Sequence, residues 1–255
     1  MRTIASTLAA LFVVAGAASA QGVPAQPQEN LDTVLRGWEK SMTDLKSFAA
    51  KVERHTLDKA LQTRDTYKGY AMFMKANVKD DSSRARLQLS KVNNDKVFEK
   101  FICTGTYLYE YAPANQVVRV HNMPDNKKAG QQESFLSFLF GMGAEQAKAR
   151  YDMKHVVAND ETAKYYHYIQ IFPKLPQDKG DFAEAQLSLY RANNLPARIW
   201  YRQANGNEIT WNFTELQIDV NIPLQWFSPD TPDGWRVERV PAPGAAAAVN
   251  PKVRN

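Results

Sequence analysis

Cysteine and histidine are scarce in this chain of 255 residues, which has one Cys and four His. The single thiol, Cys103, excludes an intrachain disulfide and a zinc site built from cysteines. His55, His121, His155 and His167 stand far apart in the sequence without the spacing of a motif such as H-E-x-x-H, so each reads as a structural residue on the wet side of a strand or at its end. There is no G-x-S-x-G, no Walker loop and no dinucleotide fingerprint, and Gly141-Met142-Gly143 is too short to count as one. Carboxylates pair only in turn-rich stretches, as in Asp80-Asp81 and Asp230 with Asp233, where solvated turns explain them better than acid–base work. No nucleophile–base set, metal or cofactor is expected, and the chain reads as non-catalytic.

Charge of one sign is also lacking. Lys plus Arg total 32 against 27 for Asp plus Glu, a formal +5, and the basic residues form no block of the kind that holds nucleic acid. Long apolar runs are confined to Leu8–Val14, short of the roughly 20 residues that span a bilayer. With Arg2 before it and Ala18-Ser19-Ala20 after it, this run reads as a secretory signal cleaved after Ala20. A lipoprotein signal needs a Cys at the cleavage site, and Cys103 is far downstream, so the expected product is soluble in a bacterial periplasm. Residues 21–28 read as a flexible leader, 29–240 as one domain, and Pro241–Asn255 as a disordered tail.

What the sequence has in quantity is aromatic residues, 12 Phe, 5 Trp and 11 Tyr, most of them in short alternating runs. The first element is the exception. Leu31, Val34, Leu35, Trp38, Met42 and Leu45 recur at three- and four-residue spacing behind a possible cap at Asn30 or Asp32, predicting an amphipathic helix. Period-two patterns follow, at Phe48–Val52, Tyr67–Ala76, Ala85–Leu89, Val97–Thr104, Thr106–Tyr111 and Gln116–Asn122. They resume at Tyr165–Phe172, Ala185–Arg191, Ala197–Gln203 and Glu208–Gln217, with Asn205-Gly206-Asn207 as a hairpin turn. Short strands joined by tight turns predict one extended antiparallel sheet, which must curl into a barrel or cover its apolar face. Glu133–Arg150 interrupts the rhythm and reads as two short helices broken at Gly141-Met142-Gly143.

Several strands are apolar on both faces. Tyr70, Met72 and Met74 oppose Tyr67, Ala71 and Phe73. Phe98 and Ile102 oppose Phe101 and Cys103, while Tyr107, Tyr109 and Tyr111 share a face. Trp200 opposes Ile199 and Tyr201, and Trp211 shares a face with Phe213. Ordinary core accounts for any one of these residues. Together they point to an enclosed apolar chamber, with Tyr70, Met72, Met74, Phe101, Tyr107, Tyr109, Trp200, Trp211 and Phe213 as the candidate lining. Each methylene of an acyl chain buried there is worth about 0.8 kcal/mol. A carrier must also release its chain, and the broken helix carrying Phe135, Leu136, Phe138, Leu139, Phe140 and Met142 is the candidate movable lid.

The order of elements resembles the LolA/LolB superfamily of periplasmic lipoprotein carriers, in an exported form of planctomycete type. The shared pattern begins with a signal peptide and an amphipathic helix that runs through Leu45-Lys46-Ser47-Phe48 directly into a strand, followed by an apolar helical insert in mid-chain. It continues with Tyr168-Ile169-Gln170-Ile171-Phe172-Pro173, then Leu187-Ser188-Leu189-Tyr190 with Leu195-Pro196-Ala197-Arg198-Ile199. It closes with Gly206-Asn207, a strand through Phe213, and Pro223, Phe227 and the Pro232–Gly234 turn. The resemblance covers about residues 28–240 as a loose order of signals with no diagnostic residue. It implies an α+β fold, a half-open antiparallel β-barrel of about 9–11 strands covered by the N-terminal helix and a short helical lid. It further implies a cavity for acyl chains, lipid-modified protein as cargo, and an inner-membrane release complex and an outer-membrane acceptor as partners. A monomer without nucleic-acid partners is expected. The alternative from another class is an envelope stress sensor or protein-interaction module built on the same barrel.

Overall fold

The computed structural model describes residues 29–76, 82–94, 96–123, 143–158 and 161–240. The expected signal peptide, leader and tail and the lid candidates Phe135, Leu136, Phe138, Leu139, Phe140 and Met142 lie outside them. Among the described residues no helix is long and apolar enough to cross a membrane.

Helix α1 spans Leu31–Asp44 and starts where the Asn30 side chain accepts a hydrogen bond from the Asp32 N–H at 3.1 Å. It ends as Leu45 turns extended and feeds strand β1, Ser47–Asp58, after a single intervening residue. Strands β2 (Thr63–Met74), β3 (Arg84–Lys91), β4 (Val97–Cys103), β5 (Tyr107–Ala112) and β6 (Val117–Asn122) follow as a meander. A short helix α2 (Ala144–Arg150) leads into β7 (Tyr151–Val156) and β8 (Tyr166–Pro173). Helix α3 (Pro176–Asp181), β9 (Glu184–Tyr190), β10 (Pro196–Arg202), β11 (Glu208–Ile218) and β12 (Arg236–Val240) complete the order.

All twelve strands form one sheet, ordered β12-β6-β5-β4-β3-β2-β1-β11-β10-β9-β8-β7. The count exceeds the 9–11 expected because β7 and β12 were not foreseen. The antiparallel expectation also needs one correction, since β12 pairs with β6 in parallel. The parallel pair exists because the chain crosses the sheet between β11 and β12 instead of turning back in a hairpin. Among the described residues the sheet is not closed into a barrel, and β12 and β7 are its outermost strands.

Period-two alternation gives every strand two faces, and different segments cover them. On the inner face, α1 lays Val34, Leu35 and Trp38 against Ile169, Leu187 and Ile199 of β8, β9 and β10, all of them buried. Burying each of these side chains is worth about 1.5–3 kcal/mol. A buried bidentate pair, with the Arg150 Nε–H donating to Asp178 at 2.6 Å, ties α2 to α3. On the outer face, the segment after β11 crosses β3 to β6. Arg86 donates to the Trp226 carbonyl at 2.9 Å, Lys100 pairs with Asp230 at 2.6 Å, and the Tyr111 hydroxyl donates to the Asp230 carbonyl at 2.7 Å. Burial pushes the Tyr111 phenol up to about 12. The same crossing segment buries Ile222 and Phe227.

Gly69 permits a close approach of β2 to β3. A methyl group added there would sit 1.8 Å from the Gln88 carbonyl oxygen, so no other residue fits this backbone.

One histidine corrects the expectation of a wet position. His167 is buried, because β8 points it inward with Ile169 and Ile171 toward α1. Its ring lies 5.4 Å from that of His155, which bonds through Nδ1 to the Glu29 carbonyl at 2.9 Å.

Candidate functional site

α1 seats its buried residues Val34, Leu35 and Trp38 over β8–β10, and its last turn brings Met42 to Phe48 and Phe213 of β1 and β11. Beyond it the sheet curls over a cavity of about 330 Å³. Residues from β10 and β5 share its wall although six strand spacings separate them, about 29 Å in a flat sheet. Only strong curvature brings them together. An ion pair between Arg54 of β1 and Glu99 of β4 reaches over two intervening strands and reflects the same curl.

The wall is almost wholly apolar. Phe48 and Phe73 stack at 5.8 Å at one end, beside Ala71, Ala85 and Leu87. Phe101, Cys103 and Leu108 come from β4 and β5, and Ile199, Tyr201, Trp211 and Phe213 from β10 and β11; Glu99 adds a carboxylate, and Met72 and Arg86, a cross-strand pair whose side chains alternate to the outer face, border it between the inward pairs. Burial pushes both the Cys103 thiol and the Tyr201 phenol above their ordinary values. A small apolar cleft of about 40 Å³ continues from the wall residues Phe48, Ile199 and Phe213 to Met42 and Leu45 at the end of α1. At the other end, Glu99 and Phe101 are shared with a groove of about 410 Å³ that carries Lys91, Asn94, Lys96 and Glu110. The inner face thus runs from an apolar end beside α1 to a polar end at the β3–β4 hairpin. At that polar end Glu110 binds both Arg119 and His121, each at 2.9 Å.

Of the candidate lining residues, Met72, Phe101, Trp211 and Phe213 border this cavity. The others stand elsewhere. The Tyr70 hydroxyl donates to Gln88 at 3.0 Å and its ring meets Trp226 edge-on at 6.0 Å, under the crossing segment. Tyr107 and Tyr109 pack edge to face at 6.3 Å, and Tyr109 joins the outer cluster of Ile102, Tyr111 and Val118. The Trp200 Nε1–H points to Glu208 at 3.4 Å, on the face away from Ile199. Met74 ends β2 opposite Arg84 and does not border the cavity. Alternation had already separated Tyr70, Met72 and Met74 from Tyr67, Ala71 and Phe73. What it lacked was any sign of which set looks inward, and Phe73, Leu87 and Leu108 went unnamed as lining for that reason. Among the described residues, no group of three or more His, Cys, Asp or Glu is placed to hold a metal ion.

No protein-family model matches this chain, and no curated protein matches it. Solved structures do. MucB in the Pseudomonas aeruginosa MucA/MucB complex is 11% identical, with 78% of this chain and 60% of that chain covered and a TM-score of 0.45. This chain therefore spans about 60% of the MucB chain that it matches. A putative outer membrane lipoprotein-sorting protein domain from Vibrio parahaemolyticus is 12% identical over 77% of this chain and 95% of that one, with a TM-score of 0.42. A LolA superfamily protein from Nitrosomonas europaea is 9% identical over 77% and 96%, with a TM-score of 0.35. LolA superfamily proteins are thus among the structural neighbours of this chain.

Proposed function

We propose that this protein is an exported, non-catalytic binder that holds acyl chains in the chamber on the inner face of its sheet and carries lipid or lipid-modified protein through the periplasm. The observation that carries this reading is the apolar cavity of about 330 Å³, walled by Phe73, Leu87, Phe101, Trp211 and Phe213. A pocket of this size and lining suits an apolar ligand. Ten methylenes withdrawn from water are worth about 8 kcal/mol. A membrane offers the same gain, so a chain can leave the chamber for a bilayer without a large net cost.

Native mass spectrometry and lipid extraction of protein purified from the periplasm test the proposal. Bound acyl species that exchange with an added fluorescent acyl lipid are the expected result. Consistently empty protein that takes up no such lipid would sink it. A second reading, a protein-interaction module, draws on the groove at the polar end with Lys91, Lys96, Glu99 and Glu110, whose polar lining suits a peptide better than a hydrocarbon. On that reading a protein partner co-purifies with empty protein.

A further inference from the structure

The size of the chamber sets how much hydrocarbon it holds. A dry cavity of about 150 Å³ is enough for benzene, which has six carbons. On that scale a chamber of about 330 Å³ holds about 13 carbons. Its depth gives a second measure. No strand contributes lining residues more than four positions apart, and the longest stretch runs from Glu99 to Cys103 of β4. At about 3.3 Å per residue that stretch is about 13 Å deep. An extended chain advances about 1.2 Å per bond, so about 11 bonds laid along the strands span the same depth.

Three boundaries limit the chamber further. At the apolar end, Met42 and Leu45 leave a cleft of about 40 Å³, room for about two carbons. At the polar end, Glu99 pairs with Arg54, and Glu110 binds Arg119 and His121. Hydrocarbon laid over these ion pairs strips water from charged groups, which cancels the gain of burying it. To the side, Val34, Leu35 and Trp38 of α1 already fill the space over β8 to β10. We propose that the chamber takes one acyl chain of about 10–13 carbons at a time. Its ligands are then single-chain amphiphiles, and a lipid or protein with several acyl groups gains nothing from the others. Ala85 of β3, opposite Phe73 and Cys103, keeps part of this length open because its side chain is small. This inference rests on the reading of the chamber as an acyl site.

The test is competition against a neutral fluorescent apolar probe on the full chain. The competitors are lysophosphatidylcholines from octanoyl to stearoyl, each below its micelle concentration, and didecanoyl phosphatidylcholine. Affinity should rise about fourfold per methylene up to about 12 carbons and then level off. The didecanoyl lipid should bind less than about tenfold more tightly than its single-chain decanoyl counterpart. Ala85→Leu adds three carbons to the wall and should bring the levelling-off about three carbons earlier. Three results would each overturn the inference and leave the acyl chamber standing. They are affinity that climbs through to stearoyl, a didecanoyl lipid bound tenfold or more tightly than decanoyl, and a break in slope that Ala85→Leu leaves in place. Affinity independent of chain length throughout, or no displacement of the probe by any chain, would remove the acyl site itself and this inference with it.

Discussion

The two halves of the inner face share one sheet and one strand alternation, yet one is a core and the other a cavity. Over β8 to β10, α1 and α2 fill the space with Val34, Leu35, Trp38, Ala144 and Ala147, and these residues are buried. Over β2 to β5 no described helix lies on the inner face, and Phe73, Phe101 and Leu108 border about 330 Å³ of space. The side chains are of the same kind in both places. What differs is whether a second layer covers them, so an aromatic residue on this sheet is core or lining according to its neighbours across the gap. The outer face shows the reverse distribution, with the crossing segment lying over β3 to β6 and anchored at Lys100 and Tyr111.

Substitutions can break or sharpen this comparison, beginning with the largest effect. Trp38→Ala in the covered half removes a fully buried side chain and should cost about 3–5 kcal/mol in a denaturant titration. Similar stability in the variant would mean that α1 is not seated as described. In the uncovered half, Gly69→Ala forces apart two backbones that meet at 1.8 Å from the new methyl. It should cost about 1–3 kcal/mol and weaken probe binding by flattening the curl. Phe101→Glu should cost less stability than Trp38→Ala but at least tenfold in affinity for a neutral apolar probe, measured by fluorescence titration, because it places a charge in the wall. A loss of stability without a loss of binding would make Phe101 ordinary core.

The smallest effect is one of pH and belongs to the covered half. Burial, with Arg191 and His155 nearby, lowers the His167 pKa, while Glu29 opposes the shift. A histidine held below its unfolded value resists protonation when folded. Its contribution is therefore complete above about pH 6.5 and is lost as pH falls from there through the folded value. Stability measured from pH 8 to 5 should decline by a shallow slope that His167→Gln removes. An unchanged slope in that variant would place the titration elsewhere.

Much of the fold could be read in advance because alternation and turn chemistry are local. α1 and ten of the strands follow from spacing alone, and Gly206 takes the positive φ of 87° expected of the hairpin turn at Asn205-Gly206-Asn207. The two unforeseen strands differ in kind. In β7, Tyr151, Met153 and His155 alternate with exposed Asp152 and Lys154, so its signal was present in the sequence. In β12, Arg236 to Arg239 are all exposed, and backbone pairing with β6 holds the strand where no side-chain pattern could announce it. Which residues border the cavity depends likewise on the fold around them. Met72, Phe101, Trp211 and Phe213 border the cavity of about 330 Å³, and Tyr70, Met74, Tyr107, Tyr109 and Trp200 stand elsewhere on the sheet.

By itself, then, the sequence determined the helix, most of the strands and the sorting of their side chains into two opposed sets, since each depends on residues a few positions apart. Only the tertiary structure decided which set faces the cavity, which part of the inner face α1 fills, and that Arg54 and Glu99 meet across two intervening strands. Those outcomes depend on the curl of the sheet and on segments that return from far along the chain, and no local pattern records them.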